Sequence, residues 1–92
     1  MNDLSRQQTD RIQNIVHIYG NTLFRICYVI LGTEADAEDA VQETIIKYMQ
    51  KAPNFANSEH EKAWLITTAK NQCRDMLRFR LRHDTHKLIL NI

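Results

Sequence analysis

Only Gly20, Gly32 and Pro53 interrupt 92 residues with a residue that readily reverses or breaks a chain. Hairpins need such punctuation, and no sustained run of β-branched residues alternates with polar ones, so an antiparallel sheet lacks both turns and strands. The chain is therefore read as all α, a compact bundle of three main helices. Ile12, Ile15, Val16, Tyr19, Leu23, Ile26, Cys27 and Ile30 recur at spacings of three and four. That stripe predicts an amphipathic helix over about 8–31, with Gly20 its weak point. Gly32 falls where a helix end needs a left-handed residue. Thr33 follows as an N-cap, with acidic residues in the next first turn to suit the helix dipole.

The second predicted helix, about 34–51, carries Ala37, Ala40, Val41, Thr44, Ile45, Tyr48 and Met49 on one face. Its opposite face is Asp39, Gln42, Glu43, Ile46 and Gln50. Pro53 stops it, because the residue before a proline is pushed out of helical geometry. A short polar loop follows, Asn54 to Ser58, with Phe55 its one aromatic. Ser58 and Glu61 have capping-box spacing and open a third helix over about 59–82. Leu65, Ile66, Ala69, Cys73, Met76 and Leu77 form its apolar stripe, while Thr67, Lys70, Asn71, Arg74 and Arg78 share the other face. From His83 onward the pattern breaks.

A length of 92 residues is one domain's worth of chain. Hydrophobic residues at 43% and charged ones at 25% exclude a disordered tail or a coiled rod. No segment approaches the roughly 20 apolar residues of a spanning helix, and no basic-then-apolar leader opens the chain, so a cytoplasmic protein is expected. The net charge of +1 hides a segregation. Glu34, Asp36, Glu38, Asp39 and Glu43 against Lys47 and Lys51 leave residues 33–51 at −3. Lys62, Lys70, Arg74, Arg78, Arg80, Arg82 and Lys87 against Glu61, Asp75 and Asp84 leave residues 61–92 at +4. Near-neutrality is thus a cancellation, and two oppositely charged partners become conceivable.

On the third helix, Lys70, Arg74 and Arg78 repeat every four residues, an arrangement that neutralises phosphates with counterion release. A solvated face with cations near the helix C-terminus has the same pattern. Asn71 on that face, and the loop of Phe55, Asn57 and Ser58 before it, add groups able to read a base edge and stack on an unpaired base. Phe55 as an anchor into the core is the alternative. On the second helix, Ile46 ringed by Asp39, Gln42 and Glu43 fits a protein contact, or a singly exposed isoleucine.

Catalysis finds no support: there is no Gly-rich phosphate loop and no Ser, His and Asp set at motif spacing, so no enzyme and no cofactor are expected. Two cysteines, Cys27 and Cys73, without a CxxC pair suggest neither a disulfide framework nor a zinc knuckle. Cys73 reads as a small core residue, Trp64 as a packing anchor, and His83 with His86 as incidental rather than as metal ligands.

The string Asp36-Ala37-Glu38-Asp39-Ala40-Val41-Gln42-Glu43-Thr44, then Phe55 in a short loop, then Ala63-Trp64-Leu65 and Ala69-Lys70-Asn71, resembles region 2 of the extracytoplasmic-function (ECF) sigma factors of bacterial RNA polymerase. The resemblance covers about residues 12–83. It implies that the acidic helix docks on the clamp helices of the polymerase β′ subunit through Asp39, Gln42 and Glu43, with Ile46 beside them. It implies that Asn54, Phe55, Asn57 and Ser58 capture a base flipped from the non-template strand of the promoter minus-ten element. Asn71 would lie at the base pocket, with Lys70, Arg74 and Arg78 near the backbone. Flipping costs a few kcal/mol, so a pocket that offsets it only for the right base reads sequence while melting the duplex.

Family members carry a second, helix-turn-helix domain (region 4), for which this length leaves no space. Residues 1–83 are accordingly expected to be the region 2 domain and 84–92 the start of an interdomain linker or tail. An anti-sigma factor is a further partner the resemblance implies. The competing readings are a helical protein-interaction module and a duplex-DNA-binding regulator.

Overall fold

The computed structural model describes the backbone of residues 3–90 and the side chains of 6–82. Three helices follow in order: α1 (Asp3–Leu31), α2 (Glu34–Lys51) and α3 (Ser58–Leu90). Each packs on both others, and no strand occurs among the described residues. The all-α bundle expected from the missing turn residues is the one found.

The breaks between helices form for the anticipated reasons. Gly32 adopts φ 84, the left-handed region that costs a residue with a Cβ, and its N–H donates to the Tyr28 carbonyl at 2.8 Å. Thr33 caps α2, its Oγ1 accepting from the Asp36 N–H at 3.2 Å. Ala52, before Pro53, is extended at φ −60, ψ 129, and ends α2.

Two boundaries differ. α1 starts at Asp3, ahead of residue 8, and α3 runs to Leu90, past residue 82. Neither extension carries the apolar periodicity from which helices are read, yet neither contains a proline or glycine to stop helical propagation. The backbone of residues 84–90, within the stretch expected to start a linker or tail, is helical and continuous with α3. The side chains of His83 and His86 lie outside the described residues. α3 is the longest element, its 33 residues spanning roughly 50 Å at about 1.5 Å each.

The core row of α1 is Ile15, Tyr19, Leu23, Cys27 and Leu31, one residue in every four. Four residues turn a helix by about 400°, so such a row drifts around the axis by roughly 40° per step. That drift lets one helix serve two neighbours. It also narrows the buried stripe: Val16 (49% exposed) and Ile30 (36%), expected inside, lie outside it. α2 contributes Ala37, Ala40, Thr44 and Tyr48, with Val41 and Ile45 partly buried, while Met49 is exposed. The buried Thr44 hydroxyl donates to the Ala40 carbonyl at 2.8 Å, which satisfies it within its own helix. α3 supplies Leu65, Ala69 and Cys73, flanked by Ile66, Met76 and Leu77. Leu23 of α1 and Leu65 of α3 are the largest fully buried side chains, in a core that also holds Ala37, Ala40 and Ala69.

Cys73 is the small core residue it was expected to be. It faces Cys27 across α1 and α3, and both thiols are free and fully buried. Burial, aided by the neighbouring Cys73, pushes the Cys27 thiol up to about 12, and burial raises Cys73 as well.

Candidate nucleic-acid interface

The link 52–57 is held down by its one aromatic. Phe55 stacks on Tyr48 of α2, with ring centroids 6.0 Å apart and planes at 12°. It also meets Trp64 edge-on at 6.0 Å and His60 edge-on at 5.3 Å. Trp64 is the packing anchor anticipated, touching Tyr48 at 5.9 Å. Phe55 is therefore half buried and serves as the loop's anchor, while part of its ring borders the surface. Ring pairs of this kind contribute about 0.5–1.5 kcal/mol each beyond burial, which fixes the loop on the bundle end.

The start of α3 is capped by Asn57, one residue before the serine expected to do so. Asn57 Oδ1 accepts from the His60 N–H at 2.8 Å, and its carbonyl accepts from the Glu61 N–H at 3.2 Å. Ser58 becomes the first helical residue, and its carbonyl accepts from the Tyr19 hydroxyl at 3.4 Å. No capping box forms, because the Glu61 carboxylate is engaged elsewhere: its Oε2 accepts from the Tyr48 hydroxyl at 2.9 Å. Asparagine and serine cap comparably well, so sequence spacing alone does not choose between adjacent residues.

Around this loop lies a concavity of about 380 Å³ lined by Arg11, Asn54, Phe55, Asn57, Ser58 and Glu61. The four loop residues expected at a base site are thus gathered at one place. Two residues of the lining were not anticipated. Arg11 reaches in from α1, where its Nε donates to the Tyr48 hydroxyl at 2.7 Å and its guanidinium carbon lies 5.0 Å from that ring's centroid. Glu61 enters from α3. The only sequence signal for Arg11 is its position beside Ile12 at the edge of the apolar stripe, which identifies a half-exposed border and no more. Burial, with Glu61 beside it, raises Tyr48 above its ordinary value, and Arg11 works in the opposite direction.

Lys70, Asn71, Arg74 and Arg78 do not line the concavity. They lie farther along α3, all exposed, with Asn71 about 20 Å from Ser58 at 1.5 Å per residue. His60, Thr67, Asn71, Arg74 and Arg78 follow each other at helical spacing, so one exposed line leads from the loop end of α3 for about 27 Å. Arg78 sits 4.0 Å from Asp75, both well exposed, a contact of little energetic weight. Arg80, counted with the basic segment, is instead ion-paired with Asp36 of α2.

The acidic helix presents what its pattern predicted. Asp39, Gln42, Glu43, Ile46 and Gln50 are all exposed, Ile46 at 42%. Lys47, at the edge of this face, donates to Gln72 Oε1 at 2.7 Å and so belongs to the α2–α3 seam. A second groove, of about 430 Å³, is lined by Asp36, Gln72, Asp75, Met76, Phe79 and Arg80, and holds none of the predicted site residues. Among the described residues no helix is long and apolar enough to cross a membrane.

Residues 15–83 match the family model described as Sigma-70 region 2. Among similar proteins, the ECF RNA polymerase sigma factor SigW of Bacillus subtilis is 32% identical over 69 residues, 75% of this chain and 37% of its own length. The ECF RNA polymerase sigma factor BldN of Streptomyces coelicolor is 29% identical over 86 residues, 89% of this chain and 33% of its own. SigG of Mycobacterium tuberculosis, of the same description, is 36% identical over 64 residues, 70% of this chain and 17% of its own. The chain therefore spans about a third or less of these relatives. No solved structure matches it significantly. A three-helix bundle with an acidic exposed helix, a polar loop and a basic helix after it, matched along three quarters of its length, belongs to the Sigma-70 region 2 family, with ECF sigma factors as its relatives.

Proposed function

We propose that this domain serves transcription initiation by binding core RNA polymerase and recognising the opened minus-ten element of a promoter. The reading requires no catalysis by the chain. α2 docks on the β′ clamp helices through Asp39, Gln42, Glu43 and Ile46. Asn54, Phe55, Asn57 and Ser58 take a base flipped from the non-template strand, and Lys70, Asn71, Arg74 and Arg78 carry the strand beyond it. An anti-sigma factor is the expected inhibitor of such a protein.

One observation supports this reading most directly. The exposed line from His60 through Asn71 to Arg78 starts at a ring that meets Phe55 of the loop edge-on at 5.3 Å, so the loop's aromatic and the cationic stretch of α3 are joined through His60. Single-strand sites combine such a cationic stretch with ring and amide groups at the bases. A duplex reader would instead insert one helix into a major groove and has no use for a concavity beside the helix start.

Affinity for a labelled single-stranded minus-ten oligonucleotide tests it. Sequence-dependent binding that weakens on duplex formation is expected; equal affinity for scrambled sequence, or preference for duplex, overturns it. Gln42→Ala with Glu43→Ala should reduce recovery of a β′ clamp fragment, and unchanged recovery removes α2 from that interface.

A further inference from the structure

At the loop concavity a cation and an anion stand on either side of one buried hydroxyl. Tyr48, only 4% exposed, accepts from Arg11 Nε and donates to Glu61 Oε2. Arg11 and Glu61 form no direct ion pair among the described residues. There, the Arg11 side chain hydrogen-bonds only through Nε and the Glu61 side chain only through Oε2. Two Nη groups and one carboxylate oxygen have no partner among the described residues, and both side chains line the concavity with Asn54, Asn57 and the half-buried ring of Phe55.

Such a pair selects its ligand by chemistry. A phosphate suits it poorly, because the carboxylate repels what the guanidinium attracts. A neutral group with a donor beside an acceptor satisfies both. Cytosine offers its N4 amino group beside N3 and adenine its N6 amino group beside N1, in each an exocyclic donor next to a ring acceptor. Thymine and guanine reverse that order, with an exocyclic carbonyl oxygen beside a ring N–H, so in the same register an oxygen meets the carboxylate. Flipped bases are read on this edge, and an acidic side chain accepting from an exocyclic amino group is an established pairing.

Resting on the capture of a flipped base proposed above, we infer that Arg11 is a specificity-determining residue of that pocket. Arg11 donates to the acceptor on the base edge while Glu61 accepts from the exocyclic amino group. The pocket takes cytosine or adenine and disfavours thymine and guanine. α1, to which neither residue pattern nor family resemblance assigned a nucleic-acid role, thereby supplies half of the recognition. Tyr48 is a positioning residue that holds the two readers apart.

The test begins with single-stranded DNA selected from a random pool on this domain. Each cytosine and adenine of the selected sequence is then replaced singly by its deaminated counterpart, uracil or hypoxanthine, and affinity is read by fluorescence anisotropy. Deamination at one position should weaken binding at least about tenfold. That penalty should fall below about threefold in Arg11→Lys, which keeps the charge without the fork, and in Glu61→Gln, whose amide tolerates a carbonyl; circular dichroism melts verify that both fold. An undiminished penalty in both variants overturns the role of Arg11 and Glu61 while leaving base capture standing. Affinity insensitive to every replacement and to Phe55→Ala overturns base capture itself.

Discussion

Arg80 of α3 is ion-paired with Asp36 in the first turn of α2, 44 residues earlier in the chain. The pair clasps the α2–α3 seam and removes one cation from the basic segment. Both side chains remain partly exposed, at 40% and 31%, so screening limits the contact to about 1 kcal/mol or less. Arg80→Ala should therefore lower stability slightly in urea and leave the salt dependence of single-strand binding near that of the parent. Arg78→Ala should weaken all sequences alike and reduce the slope of log affinity against log salt by about 0.7. Equal slopes in the two variants would show that the ion pair does not withhold Arg80 from the strand.

The two glycines should respond with opposite sign. A Cβ at Gly20 meets only Val16 Cγ1 at 3.7 Å, an ordinary contact, in unbroken helix. Gly20→Ala is expected to stabilise by about 0.5–1 kcal/mol. Gly32, at φ 84, has open space around it but the wrong backbone for an L side chain. Gly32→Ala should destabilise by about 1 kcal/mol. Thermal melts decide both.

Asn57, not Ser58, caps α3. Asn57→Ala should lose about 1 kcal/mol of stability, Asn57→Asp should keep it, and Ser58→Ala should be nearly neutral by chemical denaturation. Because the same concavity receives Asn57, oligonucleotide affinity in Asn57→Asp separates its capping from any contact with a base.

The buried thiols make stability fall at alkaline pH. An unfolded thiol ionises near 9.0, whereas folded Cys27 stays neutral until about 12. Above pH about 9 the unfolded state therefore binds fewer protons, and stability declines through that window. Cys27→Ala should flatten the alkaline limb of the stability profile. Reaction of either cysteine with an aromatic disulfide reagent should occur only at the rate of opening, since both are fully buried.

Tyr48 shows why part of the site was illegible in the sequence. Periodicity placed it on the inner face of α2, where it lies, but not between Arg11 and Glu61, which are 37 and 13 residues away. Phe55 was open between anchor and platform; three aromatic partners from two other elements make it an anchor whose remaining edge faces the concavity.

By itself, the order of residues determined the helices, the breaks at Gly32 and Pro53, and the exposed faces of α2 and α3. Each depends on neighbours within about four residues, through backbone sterics and helical repeat. Tertiary structure alone decided which part of α1 is buried, that Arg80 is neutralised by Asp36, and that Arg11 and Glu61 meet at the loop. Those outcomes depend on how three helices cross, an energetic balance over contacts far apart in the chain that no local spacing encodes.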